Sequence, residues 1–351
     1  MKKIDDILQH AIREGSLAGA SYAIVDVSGY MEVKTLGYFQ THPYKIKNKR
    51  QVIYDVASLT KVISTTTLIM YLIEHGKLSL KTRISDILSR FIHHDITIYH
   101  LMTHTSGLPA DIPLAKTLKT KDDVLDKIFA MELIHPVGET IVYSDIGYIL
   151  LGLIIEAITN KSLSENAQEI IFKPLSMMHT GYHPKKSLCA PTEFRNDDVY
   201  RGYLQGFVHD EKALAMGGEA GHAGLFSTAH DIAIFMQAIL KHTFVLSKRS
   251  IDMLFLPQEK RKFPDGRLLI RALGWDKPTM HSSAGSKVSF EDTILHTGFT
   301  GCNMFIDRSA GVGFVLLSND VHPSRETKAI LHLRYDIANL VMSSREEYHE
   351  T

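Results

Sequence analysis

The sequence predicts a mixed α/β fold of the α+β kind: an antiparallel sheet built from both chain ends, flanked by helices, with a mainly helical subdomain inserted. Three observations carry that expectation. Strand-like patterns occupy the two ends, from Ala20 to Phe39 and from Thr293 to Ser318. The breaks between the C-terminal patterns, around Thr300-Gly301 and Ser309-Ala310, are short and suit antiparallel neighbours. The middle of the chain carries mostly helical patterns. With 351 residues, 44% of them hydrophobic and 22% charged, the chain can bury a sizeable core, which excludes wholesale disorder. Its length suggests two domains, or one domain with a large insertion. The boundaries expected are residues 1–60 and 225–351 for the sheet subdomain and 61–224 for the helical one.

The elements follow in order. Ile4, Leu8 and Ala11 share one face of a short amphipathic helix that ends near Gly15. The run Ala20 to Val27, the Ser28-Gly29 turn and the run Met31 to Phe39 form a hairpin. Lys61 to His75 is apolar on much of its circumference and stops at Gly76, which predicts a buried helix. Its Thr65-Thr66-Thr67 run leans toward a strand, but the length favours helix. Gly147–Thr159 and Leu163–Phe172 read as further helices, and Thr228 with Asp231 reads as a capping box for a helix through Leu240. Strands are expected at Thr293–Gly298, Asn303–Asp307 and Gly311–Ser318. A helix from about Arg325 to Met342 should then pack Ile330, Leu331, Leu333, Ile337 and Leu340 on the sheet.

Composition excludes several function classes. Lys plus Arg (39) cancels Asp plus Glu (39), so no broad basic field exists for nucleic acid or an anionic membrane. Cys189 and Cys302 are the only cysteines, too few for a disulfide scaffold or a cysteine-rich zinc site. Two lysines open the chain as in a signal peptide, but Asp5, Asp6 and His10 interrupt any apolar core of one. The longest apolar stretch, Ile146 to Ile158, contains Gly147, Gly152 and Glu156 and is too short to span a bilayer. A soluble, cytoplasmic protein is expected.

The chemistry concentrates in three places. Ser58-Leu59-Thr60-Lys61 lies where an irregular segment meets the buried helix, and it is the single S-x-x-K in the chain. Three residues is nearly one turn, so Ser58 and Lys61 share a face at the helix start. A serine hydroxyl is a poor nucleophile unless a neighbour takes its proton, which a neutral amine can do. A neutral lysine near pH 7 needs its pKa lowered by roughly three units, and burial acts in that direction. The bland alternative is a serine N-cap followed by a solvated lysine. Tyr143-Ser144-Asp145 precedes a helix, and His296-Thr297-Gly298 ends a strand just before Phe299-Thr300-Gly301.

The order S-x-x-K, Y-x-N-like, K-T-G-like resembles the penicillin-recognising serine hydrolases. The likeness is to the branch with class C β-lactamases, low-molecular-weight penicillin-binding proteins and related esterases. Further segments share it: residues 100–108, 142–152 and 221–228. The resemblance implies a β-lactamase/transpeptidase-like fold with its active site at the junction of the two subdomains. It implies that Ser58 is the acylated nucleophile, Lys61 its partner, and Tyr143 a second base or proton shuttle. It implies an oxyanion hole from the N–H groups of Ser58 and Phe299. Substrate would lie along His296, Thr297 and Gly298, near Asp145. No cofactor or metal is implied. The expected substrate is a small ester, amide or β-lactam, and the oligomeric state is left open.

Two positions depart from the family pattern. Asp145 stands where the pattern has Asn, and a carboxylate close to Lys61 would favour the ammonium form. Tyr143 would then carry more of the proton transfer, with Lys61 a cationic organiser. His296 stands where the pattern has Lys, and a mostly neutral imidazole suits a substrate carboxylate less than a fixed charge does. An esterase or amidase is therefore the first expectation. A D,D-carboxypeptidase or β-lactamase, or a binding module that has lost turnover, is the alternative.

Other features receive structural readings. His100 and His104 have metal-pair spacing without an H-E-x-x-H pattern or an obvious third ligand, so loop-ordering roles are expected. His209-Asp210-Glu211 and His222 sit in a glycine-rich region; the first reading is a hydrogen-bonded surface loop, and the alternative is that they line the site or bind a cation. Lys260-Arg261-Lys262 reads as a solvated loop, and Met177-Met178 and Trp275 as core or pocket filling.

Overall fold

The computed structural model describes residues 2–326 and 329–349. Six strands form one antiparallel sheet in the spatial order Thr293–Gly298, Cys302–Asp307, Val312–Ser318, Gly19–Asp26, Met31–Gln40, Ile46–Lys47. The chain ends therefore meet mid-sheet, where Gly19–Asp26 pairs with Val312–Ser318 from Ala20↔Ser318 to Asp26↔Val312. Period-two alternation sorts the side chains onto two faces. Ala20, Tyr22, Ile24, Phe314 and Leu316 join Ile4 and Leu8 of the helix Lys2–Arg13 and Ile337 and Val341 of the helix Ala329–His349. Ala23, Val25, Val315 and Leu317 enter a larger core shared with the helix Ala229–Leu240 and the helices of the middle segment.

The expected hairpin, the three C-terminal strands and the N-terminal helix are present. The helix beginning at Lys61 is π-helical over Lys61–Thr66 and α-helical over Thr67–Glu74. Its threonines are compatible with burial because each hydroxyl is bonded. Thr65 donates to the Gly221 carbonyl at 2.6 Å, Thr67 to the Val62 carbonyl at 3.1 Å, and Thr66 lies 3.1 Å from the Tyr148 hydroxyl.

Four local expectations change. On the C-terminal helix the buried stripe is Ile330, Arg334, Ile337, Ala338 and Val341, whereas Leu331 is 51% exposed. The apolar residues alone misplace the face because an arginine sits in its middle. The expected start of this helix overlaps residues 327–328, which lie outside the described residues. Thr228 caps the Asp231 N–H at 3.1 Å, but the Asp231 carboxylate turns to the His179 N–H at 2.7 Å instead of closing a box. Lys260-Arg261-Lys262 belongs to a strand, Glu259–Lys262, paired with Leu268–Arg271, and that hairpin positions Arg271. Met177 and Trp275 are buried, while Met178 faces solvent. No single described helix is long and apolar enough to cross a membrane.

Candidate active site

The candidate site is a cavity of about 630 Å³ lined by Ser58, Tyr143, Asp145, Lys212, Arg271 and the segment from His296 to Phe299, among others. Its position follows from how one loop is tied down. Tyr54–Asp55 pairs with Phe226–Ser227, and Ala57 then takes the left-handed conformation (φ 47°). The buried Asp55 carboxylate holds that turn by accepting from the Ala57 N–H at 2.9 Å, and with its other oxygen it accepts from the His209 N–H at 2.7 Å. Gly298 presses on the same turn. A Cβ there would lie 2.6 Å from the Val56 carbonyl oxygen, so only glycine lets the edge strand approach the Ser58 loop this closely.

Ser58 is half-buried at the head of its helix, and Lys61 is fully buried one turn on. The Lys61 ammonium donates to Ser58 Oγ at 3.0 Å, Asp145 Oδ1 at 2.8 Å and the His222 carbonyl at 3.3 Å. Those three acceptors use all three of its protons. Burial alone pulls the lysine pKa down, but Asp145 and then Tyr143 outweigh it and hold the group above its ordinary value. The solvated-lysine alternative is thereby excluded.

Asp145 is in turn shared. Its Oδ2 lies 3.2 Å from Nζ of a second lysine, Lys212, only 2% exposed and also 3.1 Å from Asp210 and 2.7 Å from Asp111. Burial raises the Asp145 pKa, but Lys61, His222 and Lys212 reverse the sign and leave it below the usual carboxylate range. Asp210 caps the helix Glu211–Ala215 and accepts from the His222 ring at 2.7 Å, which keeps it well below that range too.

This cluster corrects the surface-loop reading of residues 209–211 and His222, which are packed against the site and not on an open loop. The glycine-rich run was the available signal. Gly221 packs on Tyr148 and Gly152 with no room for a Cβ, and that approach delivers the His222 carbonyl to Lys61. Asp145, Asp210 and His222 also have metal-ligand spacing. Lys61 and Lys212 already hold the Asp145 oxygens, however, and a cation among them would face two buried ammonium groups.

Tyr143 leaves 39% of its surface exposed, with its ring centroid 4.7 Å from Lys61 Nζ and 4.7 Å from the His104 ring. His104 positions this motif by accepting the Ser144 N–H at 3.0 Å through Nδ1, while His100 caps Thr97. The two histidines order separate backbone segments, as expected.

His296 is buried, and its Nδ1 lies 2.9 Å from the Thr297 carbonyl oxygen. Burial, then Arg271 and Lys61, push its pKa well below the ordinary value, so the imidazole is neutral. Arg271, missed in the sequence, supplies a fixed positive charge to this wall. Its Nη1 pairs with Asp276, while Nε and Nη2 have no hydrogen-bond partner among the described residues. Thr297 is half-buried, and Phe299 is 63% exposed at the cavity mouth, stacked on His209 at 5.5 Å.

The family model described as Beta-lactamase matches residues 4–338. The chain is 28% identical to the N-acetylmuramyl-L-alanine amidase of Bacillus subtilis (strain 168), over 92% of this chain and 81% of that protein. It is 31% identical to a putative D-alanyl-D-alanine carboxypeptidase of Escherichia coli (strain K12), over 79% of this chain and 71% of that protein. EstCE1, a hydrolase with promiscuous acyltransferase activity, superposes with TM-score 0.78 at 18% identity, covering 97% of this chain and 98% of that one. A class C beta-lactamase superposes with TM-score 0.75 at 18% identity, covering 98% and 95%.

Proposed function

The chain belongs to the beta-lactamase family of serine hydrolases, and from that premise we propose that Ser58 is its acylated nucleophile, in an esterase or amidase. The observation that carries this is the Lys61 ammonium, which donates to Ser58 Oγ at 3.0 Å while anchored on Asp145 at 2.8 Å. Ser58 Oγ attacks the substrate carbonyl as its proton passes to the Tyr143 hydroxyl, which gives its own proton to the departing alcohol or amine. The Ser58 and Phe299 N–H groups hold the oxyanion, and Lys61 stays charged beside the nucleophile. Water then attacks the acyl-enzyme by the reverse relay, releasing the acid and restoring Ser58. Asp145 fixes Lys61, and Thr297 and Gly298 form the strand along which the acyl chain lies.

One observation favours the second reading, a D,D-carboxypeptidase. Histidine in place of lysine at position 296 argues against an anionic substrate, but the Arg271 guanidinium lies behind the same wall, its charge offset in part by Asp276. The names of the relatives, an amidase and a carboxypeptidase, support an amide substrate. A cytoplasmic setting is part of the proposal, supported by two buried thiols, Cys189 and Cys302, left unpaired. So is the division at residues 60 and 225, supported by one cavity being lined by Ser58 and His296 from one part and by Asp145 and Lys212 from the other.

The test is mass spectrometry after a fluorophosphonate and, separately, a penicillin, followed by turnover of matched ester, amide and β-lactam substrates. Covalent mass on Ser58, abolished in Ser58→Ala, with steady turnover of an ester or amide is the expected result. Labelling elsewhere overturns the nucleophile, and a burst with no turnover leaves a binding module.

A further inference from the structure

We infer that Arg334 is a positioning residue for catalysis, which strengthens and aims the Phe299 N–H by binding the carbonyl oxygen of the same peptide unit. The inference rests on the reading above, in which that N–H holds the oxyanion.

Arg334 occupies an unusual place. It sits on the buried stripe of the C-terminal helix, between Ile330 and Ile337, where every other position is apolar, and it is 7% exposed. A buried guanidinium carries a large desolvation cost and is charged at every working pH. Its Nη2 donates to the Gly298 carbonyl oxygen at 2.8 Å, and its Nε has no partner among the described residues.

The Gly298 oxygen also accepts the Gly301 N–H at 3.1 Å, so both of its lone pairs are engaged. That second bond closes a tight turn over residues 298–301, in which Thr300 Oγ1 donates to the Asp55 carbonyl at 2.7 Å. Gly298 C=O and Phe299 N–H belong to one planar trans amide and point in opposite directions. A cation on the oxygen draws electron density through the amide and leaves the N–H more positive, and bonds in such chains reinforce one another. The same contact fixes the plane of the amide, and with it the direction of the donor. Arg334 also lines the cavity, but its hydrogen bond goes to this peptide, and it acts through that bond.

The test follows the donor directly. The enzyme is acylated with p-nitrophenyl acetate carrying a ¹³C carbonyl, and the acyl band is read by rapid-scan infrared spectroscopy in wild type, Arg334→Gln and Arg334→Lys, with peptide mapping of Ser58. In wild type the band should lie below that of ethyl acetate in water. In Arg334→Gln it should move up, with kcat lower by about tenfold and KM within about threefold, since the donor is weakened and not removed. Arg334→Lys, which keeps a cation and guards against a glutamine variant that does not fold, should fall between. An acyl band that stays at the wild-type position in a variant acylated at Ser58 overturns the inference, whether or not the rate falls. Wild type that acylates at a residue other than Ser58, or not at all, overturns the parent reading instead.

Discussion

Lys61 Nζ and Asp145 Oδ1 lie 2.8 Å apart at the base of the cavity, with Ser58 Oγ 3.0 Å from the same nitrogen. The carboxylate in place of the family's asparagine makes this lysine an ion-paired cation at rest. Its alkaline titration, not an acidic one, should then limit the enzyme. Asp145→Asn removes the charge that raises the Lys61 pKa, so the alkaline limb of the kcat/KM profile should move to lower pH, by on the order of one unit. A shift confined to the acidic limb would show Lys61 to be the base.

Lys212 provides the opposite displacement. It offsets the exposed Asp111 and the half-buried Asp145 and Asp210, and Lys212→Met leaves these carboxylates short of a partner. Losing one partner of a buried cluster costs about 3–5 kcal/mol. Asp145 would then act on Lys61 alone, and the alkaline limb should move up. Urea unfolding and a pH–rate profile of the variant check both signs.

Acid unfolding should report the same cluster. The pKa values of Asp145 and Asp210 are depressed in the fold, so their contribution is present above the unfolded carboxylate value, about 3.9. It is lost as pH falls through the lower folded values. Lys212→Met removes a cause of both depressions, and its acid transition, followed by circular dichroism, should lie at higher pH than that of wild type.

Gly298→Ala should cripple activity through space and not through backbone conformation. The new Cβ would stand 2.6 Å from the Val56 carbonyl oxygen, and neither backbone can yield without moving Ser58 or the edge strand. Overpacking of this kind costs roughly 1–3 kcal/mol. Thermal melting should show that modest loss, while kcat/KM falls far more. A variant with wild-type turnover would mean that this contact does not set the site.

The neutral His296 and the charged Arg271 make distinct predictions for substrate charge. The ratio of kcat/KM for a carboxylate-bearing and a neutral substrate should be flat from about pH 5.5 to 8, because the His296 pKa lies well below its usual value near 6.5. Arg271→Gln should lower that ratio by less than the roughly tenfold of a direct charge-assisted hydrogen bond, because Nε and Nη2 are buried and Nη1 is held by Asp276. A ratio that climbs as pH drops through 6 would return the charge-reading role to His296.

The sequence by itself determined the strands, the antiparallel meeting of the chain ends and the helix that carries Ser58 and Lys61, because period-two and helical patterns are local. The resemblance of three short motifs to a known family brought Ser58, Lys61, Tyr143, Asp145 and His296 onto one list, which spacing within each motif alone does not do. Only the tertiary structure decided the electrostatics. Lys212, Asp210 and His222 reach Asp145 from a segment more than sixty residues away in sequence, and Arg271 reaches His296 from a hairpin that read as loop. Arg334 was hidden for a related reason: an apolar stripe is found by its hydrophobic members, and a buried arginine among them reads as the solvent side. Whether a buried lysine is an amine or an ammonium depends on which charges the fold packs within a few ångströms of it. That is set by long-range packing, and the local spacing of a motif does not encode it.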